Sequence, residues 1–189
     1  GMGLCTASIS MAKSLQVITK QVDGDYLYSS QDLDEVVETD DFIKELRNAN
    51  KEEIALFKDQ VKDDHGTVIV LSKTDRLTNT NPTIFANNLA KDMGRIYRKF
   101  IEAGIIISVN DKKVTATDPL MTDAEGTQIY SDEEYEVPSR NGKDKIRVKL
   151  AILPDVNEAL EKELKMNIPS QGFYVVRNNR EIANGETLD

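Results

Sequence analysis

Asp23-Gly24 sits between two runs of strand-forming residues, Leu15 to Val22 and Asp25 to Ser29. Alternating apolar and polar positions mark a strand with one buried face. Asp-Gly is a strong closing pair for a hairpin, because both residues tolerate positive φ. The opening of the chain is thereby committed to antiparallel pairing. Thr67 to Leu71 is rich in β-branched residues and apolar on both sides, which predicts a central strand buried on two faces. Ile105 to Val109 predicts a second buried strand.

Helical spacing accounts for most of what lies between. Leu4, Ala7, Met11, Ala12 and Leu15 would bury one side of a first helix. Gln31 to Asp41 is acidic and reads as a solvated connector, and Asp41 to Ala49 as a short helix with Phe42, Ile43 and Leu46 on one side. Asn50 followed by Glu53 is a capping box, opening a helix through Ile54, Leu56, Phe57 and Val61. Thr80-Asn81-Pro82 starts the longest helix, Thr83 to Ala103, with Phe85, Leu89, Met93 and Ile96 in its stripe.

Further on, Asn110-Asp111 predicts a hairpin and Thr127 to Val137 a strand. Pro138 to Asp144 reads as a turn, and Lys145 to Leu150 as a strand with its apolar residues inward. Asp155 to Met166 reads as a helix with Val156, Leu160 and Leu164 inward, ended by Ile168-Pro169-Ser170. Gln171 to Val176 is a last strand, Arg177 to Ile182 a turn and short return, and Gly185 onward a polar tail. Strands and helices in this order give an α+β fold: a two-layer α/β sandwich on a mixed, mostly antiparallel sheet, then a smaller α+β unit.

Composition narrows the function classes. A net charge of −9 opposes general affinity for nucleic acid, whose binding needs excess Lys and Arg. Cys5 is the single cysteine, so no internal disulfide forms, and a reducing, cytoplasmic setting is expected. No apolar run approaches the length of a membrane span. His65 is the single histidine, with no second imidazole or nearby thiol to suggest a metal. No Ser–His–Asp set, zinc spacing or Walker loop is present.

One segment carries binding chemistry. Gly1-Met2-Gly3-Leu4 runs straight into the small-residue helix. The first amides of a helix have no intrahelical partner and point with the positive end of the dipole, so such a start can hold an anion. Two glycines before a helix also make an ordinary tight turn, and spacing alone does not choose between the two readings.

A resemblance does choose. Gly1-Met2-Gly3-Leu4, the helix, and Leu15-Gln16-Val17-Ile18-Thr19-Lys20 resemble the second glycine motif of the GHKL ATPase superfamily, which includes DNA gyrase, the heat-shock chaperones, sensor histidine kinases and MutL. His65-Gly66-Thr67-Val68-Ile69-Val70-Leu71 is similar to its Gly-Thr strand. "GRIYRKFI" with "GIIISVN" resembles the helix and strand that follow. "VNDKKVTATDPL" and "GFYVVRNNREI" resemble segments of microrchidia-type and related ATPases, so most of the chain is covered.

The resemblance implies an ATP-binding fold over residues 1–116 and a transducer-like α+β unit over 117–189. It implies backbone groups of Gly1, Met2, Gly3 and Leu4 at the nucleotide phosphates and Thr67 at the adenine end. It also implies one sheet for Leu15–Val22, Asp25–Ser29, Thr67–Leu71 and Ile105–Val109, with helices Thr6–Ser14 and Thr83–Ala103 on one face. In the complete family fold the bound species are ATP and Mg2+. The family's metal-holding Asn motif and Asp-x-Gly-x-Gly motif precede the glycine run, so the expectation is no catalytic residue in this chain, no metal ligand, and no cofactor held by the chain alone. Apolar residues near the glycine run (Met2, Leu4, Ile9, Val17, Ile18) predict self-association into a homo-oligomer, with a protein partner also possible. The competing expectation is a non-catalytic interaction module.

Overall fold

The computed structural model describes residues 2–42, 46–140, 142–155, 157, 158, 161, 162 and 171–187. Helices and antiparallel sheets together make the fold α+β, and its sheets are open. The chain divides into two compact units after Thr80, whereas the sequence reading put the boundary at 116–117.

The first unit is a four-stranded sheet. After α1 (Met2–Ile9) come β1 (Ala12–Lys20), β2 (Tyr26–Asp32), α2 (Leu33–Thr39), β3 (Arg47–Asn48), α3 (Lys51–Gln60) and β4 (Gly66–Thr74), with strand order β3-β2-β1-β4. The expected hairpin joins β1 to β2, with Lys20 opposite Tyr26. Its loop spans residues 21–25 rather than two, with Asp23 at φ 56 and Gly24 N–H donating to the Gln21 carbonyl at 3.0 Å. On its other side β1 pairs antiparallel with β4, from Ala12 opposite Thr74 to Lys20 opposite Gly66.

The core lies on one face of this sheet. Ile18 and Tyr28 are buried there under Phe57 of α3, and Tyr26, Ala49, Val61 and Val68 pack around them. Tyr26 meets the Phe57 ring edge-on at 5.2 Å. The capping box forms as read: Asn50 Oδ1 accepts from the Glu52 and Glu53 amides, and Glu53 accepts from the Asn50 amide.

Four expectations in this unit need correction. The first helix ends at Ile9, and Ala12 and Leu15 belong to β1, because β4 pairs with β1 from Ala12 to Lys20 and β2 pairs with it from Ser14 to Lys20. β4 is an edge strand, not a central one, with Ile69 47% exposed. The acidic stretch holds a helix, α2, whose N-cap is Asp32. Arg47 and Asn48 form a strand rather than the end of a helix. Arg47 is fixed by the Tyr28 ring, 4.0 Å away, and by a two-pronged bond to Glu53, while Ala49 N–H donates to the Tyr26 carbonyl. Residues 43–45 of that expected helix lie outside the described residues.

The second unit holds α4 (Pro82–Ile96), α5 (Arg98–Glu102) and three hairpins: β5 (Ser108–Val109) with β6 (Lys112–Lys113), β7 (Gln128–Ser139) with β8 (Gly142–Ile152), and β9 (Phe173–Arg177) with β10 (Arg180–Glu186). Asn81 caps α4 with Pro82 in its first turn, as expected. The long helix is interrupted at Tyr97. Gly94 lies buried against residues 114–117, and its carbonyl accepts from Thr117 N–H at 3.0 Å instead of from the next helical turn. A glycine is needed here because a Cβ would fall 2.5 Å from the Thr115 carbonyl oxygen.

The strand expected at Ile105 to Val109 shrinks to Ser108–Val109, with Ile106 70% exposed, and it does not join the sheet of β1 and β4. Helix α4, expected in the same layer as the first helix, belongs to the second unit. Asn110-Asp111 and Asn178-Asn179 each place two consecutive residues at positive φ, the geometry of a tight two-residue hairpin. β10 continues through Gly185 to Glu186, where a frayed tail was expected. The helix expected from Asp155 to Met166 lies for the most part outside the described residues, as do residues 168–170.

Candidate functional site

Helix α1 carries the glycine motif within its first turn rather than ahead of it. Met2 is its first residue, Gly3 and Leu4 are exposed, and Gly1 lies outside the described residues. No acidic residue occupies that turn. The other pole is closed. Arg76 donates to the Ile9 carbonyl at 3.0 Å, and the Met11 carbonyl accepts from the Asp75 and Arg76 amides. Arg76 thus meets the negative end of the dipole, while the first turn at the positive end carries no acidic residue.

Ser8 and the two-residue connection Ser10-Met11 set α1 against β1. Ser8 is buried and back-bonds to the Leu4 carbonyl at 2.6 Å. An eight-residue helix is about 12 Å long, whereas Thr67 stands opposite Thr19, seven residues or roughly 23 Å along β1 from Ala12. The first turn of α1 therefore reaches back no further than about the middle of β1. Thr67 is at the far end of the ladder, its hydroxyl 2.8 Å from that of Thr19, which also donates to the Gly66 carbonyl. The motifs share one sheet without touching through Thr67.

At that far end Lys20 Nζ binds Asp64 through both the carboxylate (2.9 Å) and the carbonyl (2.7 Å). The hydrogen bond that Lys20 donates to Asp64 raises the Lys20 pKa and lowers that of Asp64. His65 beside them is exposed.

Sequence reasoning missed three clusters. Asp34, in the first turn of α2, bridges Lys13 of β1 and Lys73 of β4, each at 3.1 Å, and Lys73 also meets Asp32 at 2.8 Å. Lys73 adopts φ 54 to do so. Its hydrogen bond is the main cause that lowers the Asp32 carboxyl, and those of Lys13 and Lys73 lower Asp34. The pairing is two against two, so it ties α2 to the strands and presents no free charge. Beside it, Gln31 is buried opposite Leu15, and neither its carbonyl nor its amide nitrogen has a hydrogen-bond partner among the described residues.

The third cluster is in the second unit. Glu181 of β10 is buried and pairs with Arg95 and Arg98, the latter at 2.5 Å. Burial pushes the Arg98 guanidinium below its usual pKa. Burial works against the charge on Asp118 as well, yet its pKa is lowered. The Thr122 hydroxyl and the Leu120 and Thr122 amides donate to it, and Arg98 adds its field. Asp118-Pro119 is the one local signal that could have marked this turn; Glu181 carries none.

Among the described residues no group of His, Cys, Asp and Glu is arranged to hold a metal, and no helix is long and apolar enough to cross a membrane. Set against models of protein families, characterised proteins and solved structures, the chain matches none of them.

Proposed function

We propose that this chain is the phosphate-side part of a GHKL-type ATP-binding fold joined to a transducer-like unit. The observation that carries the reading is the residue-by-residue pairing of β1, the strand after the glycine helix, with β4, the Gly-Thr strand. Two motifs far apart in sequence lie side by side, as one nucleotide fold requires. The first turn of α1, which carries no acidic residue, supports the same reading, since phosphate binding is largely amide and cation work. The family's metal-holding Asn motif and Asp-x-Gly-x-Gly motif are not in this sequence, so on this reading it binds ATP weakly and does not turn it over.

Amide chemical shifts recorded during titration with millimolar ATP test this reading. Shifts centred on Gly3, Leu4 and Thr67, with no phosphate released, are the expected result. Silence at those amides at saturating nucleotide, or shifts confined to residues 81–189, would refute it.

A second reading is a non-catalytic interaction module. The unpaired edge of β4, with Ile69 half exposed, favours it, as does the exposed Leu4. Of the residues first assigned to such a surface, Ile18 is excluded because it is completely buried under α3.

A further inference from the structure

Of the asparagines in the chain, Asn141 and Asn184 precede glycine. Asn141 lies outside the described residues, whereas Asn184-Gly185 falls in β10 of the last hairpin. An Asn-Gly pair has a chemistry of its own. The amide nitrogen of the following residue can reach the asparagine side-chain carbon, and glycine, with no Cβ, does not block the approach. A regular antiparallel ladder suppresses this. It fixes ψ near about +135° and holds the backbone in interstrand bonds.

The ladder breaks at this pair. Ala183 stands opposite Val175 and Glu186 opposite Phe173, so β10 advances three residues while β9 advances two. Asn184 and Gly185 have no opposite residue on β9, and a second shift lies just before them, between Glu181 and Ala183. Gly185 has φ 64, the left-handed setting that glycine takes in a bulge. Asn184 is exposed. The carboxamide therefore lies in water, on a stretch of backbone that no residue of β9 faces.

We propose that Asn184-Gly185 is a self-modifying site, at which the folded chain converts Asn184 to aspartate and isoaspartate without an enzyme. The Gly185 nitrogen attacks Cγ of Asn184. The new N–Cγ bond closes a cyclic imide, the Cγ–Nδ2 bond breaks, and Nδ2 leaves as ammonia with the proton that the Gly185 nitrogen gives up. Water then opens the ring at one of its two carbonyls. Opening at Cγ leaves aspartate in a normal chain. Opening at the backbone carbonyl leaves isoaspartate, with the chain running through Cβ. Either product adds a negative charge beside Glu186.

Isoaspartate also adds a methylene to the backbone, at a place where the chain is closely packed. A Cβ built on Gly172, just ahead of β9, would stand 2.5 Å from the Glu186 carbonyl oxygen and 2.9 Å from the Gly185 carbonyl carbon. The added length pushes this peptide off Gly172 and unseats the open end of the β9–β10 hairpin. The proposal does not depend on the nucleotide reading.

The test keeps the full chain at mildly alkaline pH, folded in buffer and separately unfolded in urea, and weighs its tryptic peptides over time. Asn184 is the sole asparagine of Glu181–Asp189, and Phe100–Lys112 carries Asn110, followed by Asp111, as a reference. A site that reacts only through global unfolding would be slowed at least about 10³-fold by folding. The expected result is that Glu181–Asp189 gains the mass of an NH2-to-OH exchange in the folded chain within about tenfold of its rate in urea, ahead of Asn110. A slowdown of about a hundredfold or more overturns the proposal, as does conversion at Asn110 that keeps pace.

Enzymatic methylation of the isoaspartyl carboxyl identifies that product in the peptide. Amide exchange on the converted chain checks the structural effect. Phe173 and Val175 are expected to lose protection while Val148 keeps its own. Unchanged protection at Phe173 and Val175 would refute the unseating of the hairpin.

Discussion

Replacing Gly94 by alanine sets two effects against each other, and the structure says which wins. Alanine favours a helix interior over glycine by roughly 1 kcal/mol, so on α4 alone the change is stabilising. Its Cβ, however, would stand 2.5 Å from the Thr115 carbonyl oxygen, 3.3 Å from the Thr117 hydroxyl and 3.4 Å from a Val114 methyl. A carbon essentially never comes within 3.0 Å of such an oxygen, so residues 114–117 must retreat by at least half an ångström. Overpacking of this kind costs about 1–3 kcal/mol. The retreat also strains the Thr117 N–H bond to the Gly94 carbonyl, worth about 0.5–1.5 kcal/mol. Setting the helix gain against these costs gives a net loss of about 1–3 kcal/mol. Urea titration measures the loss, and amide exchange locates it: Thr117 should lose protection while Ile18 and Phe57 keep theirs. A variant as stable as the parent or more so, with Thr117 still protected, would show that the segment does not press on α4.

Phe57→Ala should cost about 3–5 kcal/mol, since it empties the centre of the first unit's core, and thermal unfolding would read this as early loss of the β1–β2–β4 sheet. Gln31→Met should raise the melting temperature, because it removes two buried polar groups without partners while keeping the volume; a lower melting point would mean that the amide is satisfied in solution. The lowered pKa of Asp118 sets a sign. Its contribution is present above the unfolded value of about 4 and is lost as pH falls through the folded value, so acid should weaken the second unit below about pH 4. Asp118→Asn should remove that part of the acid dependence and lower stability at neutral pH, as paired acid and neutral denaturation curves would record.

What the sequence disclosed was local. Asn50 with Glu53, Asn81 with Pro82, and the Asn110-Asp111 and Asn178-Asn179 turns each act within a few residues, and each formed where it was read; Asp23-Gly24 marked its hairpin but not the longer loop over residues 21–25 that closes it. Errors arose where a distant partner decides. Thr67 to Leu71 reads as a buried strand from composition, but its place at an edge depends on what lies beyond it. The break at Tyr97 is set by Thr117, and the exposure of Ile105 and Ile106 by the absence of a neighbouring strand among the described residues. The same holds for the candidate site. The glycine run and the Gly-Thr strand were legible, and their pairing followed from resemblance rather than from pattern. Gln31, Lys73 and Glu181 give no local sign of their roles.

The Arg98–Glu181 pair has a consequence for how the chain is made. Arg98 is buried beside Arg95, and the carboxylate that answers both lies 83 residues further along. While synthesis proceeds from the N-terminus, the first unit has every strand of its sheet once β4 has emerged, and it can close on its own. The second unit cannot. Until β10 leaves the ribosome, Arg95 and Arg98 lack the buried carboxylate that binds both where α4 and α5 must pack, and a poorly compensated buried charge opposes that packing. Assembly of the second unit therefore waits for β10, whatever the helix propensity of α4 alone.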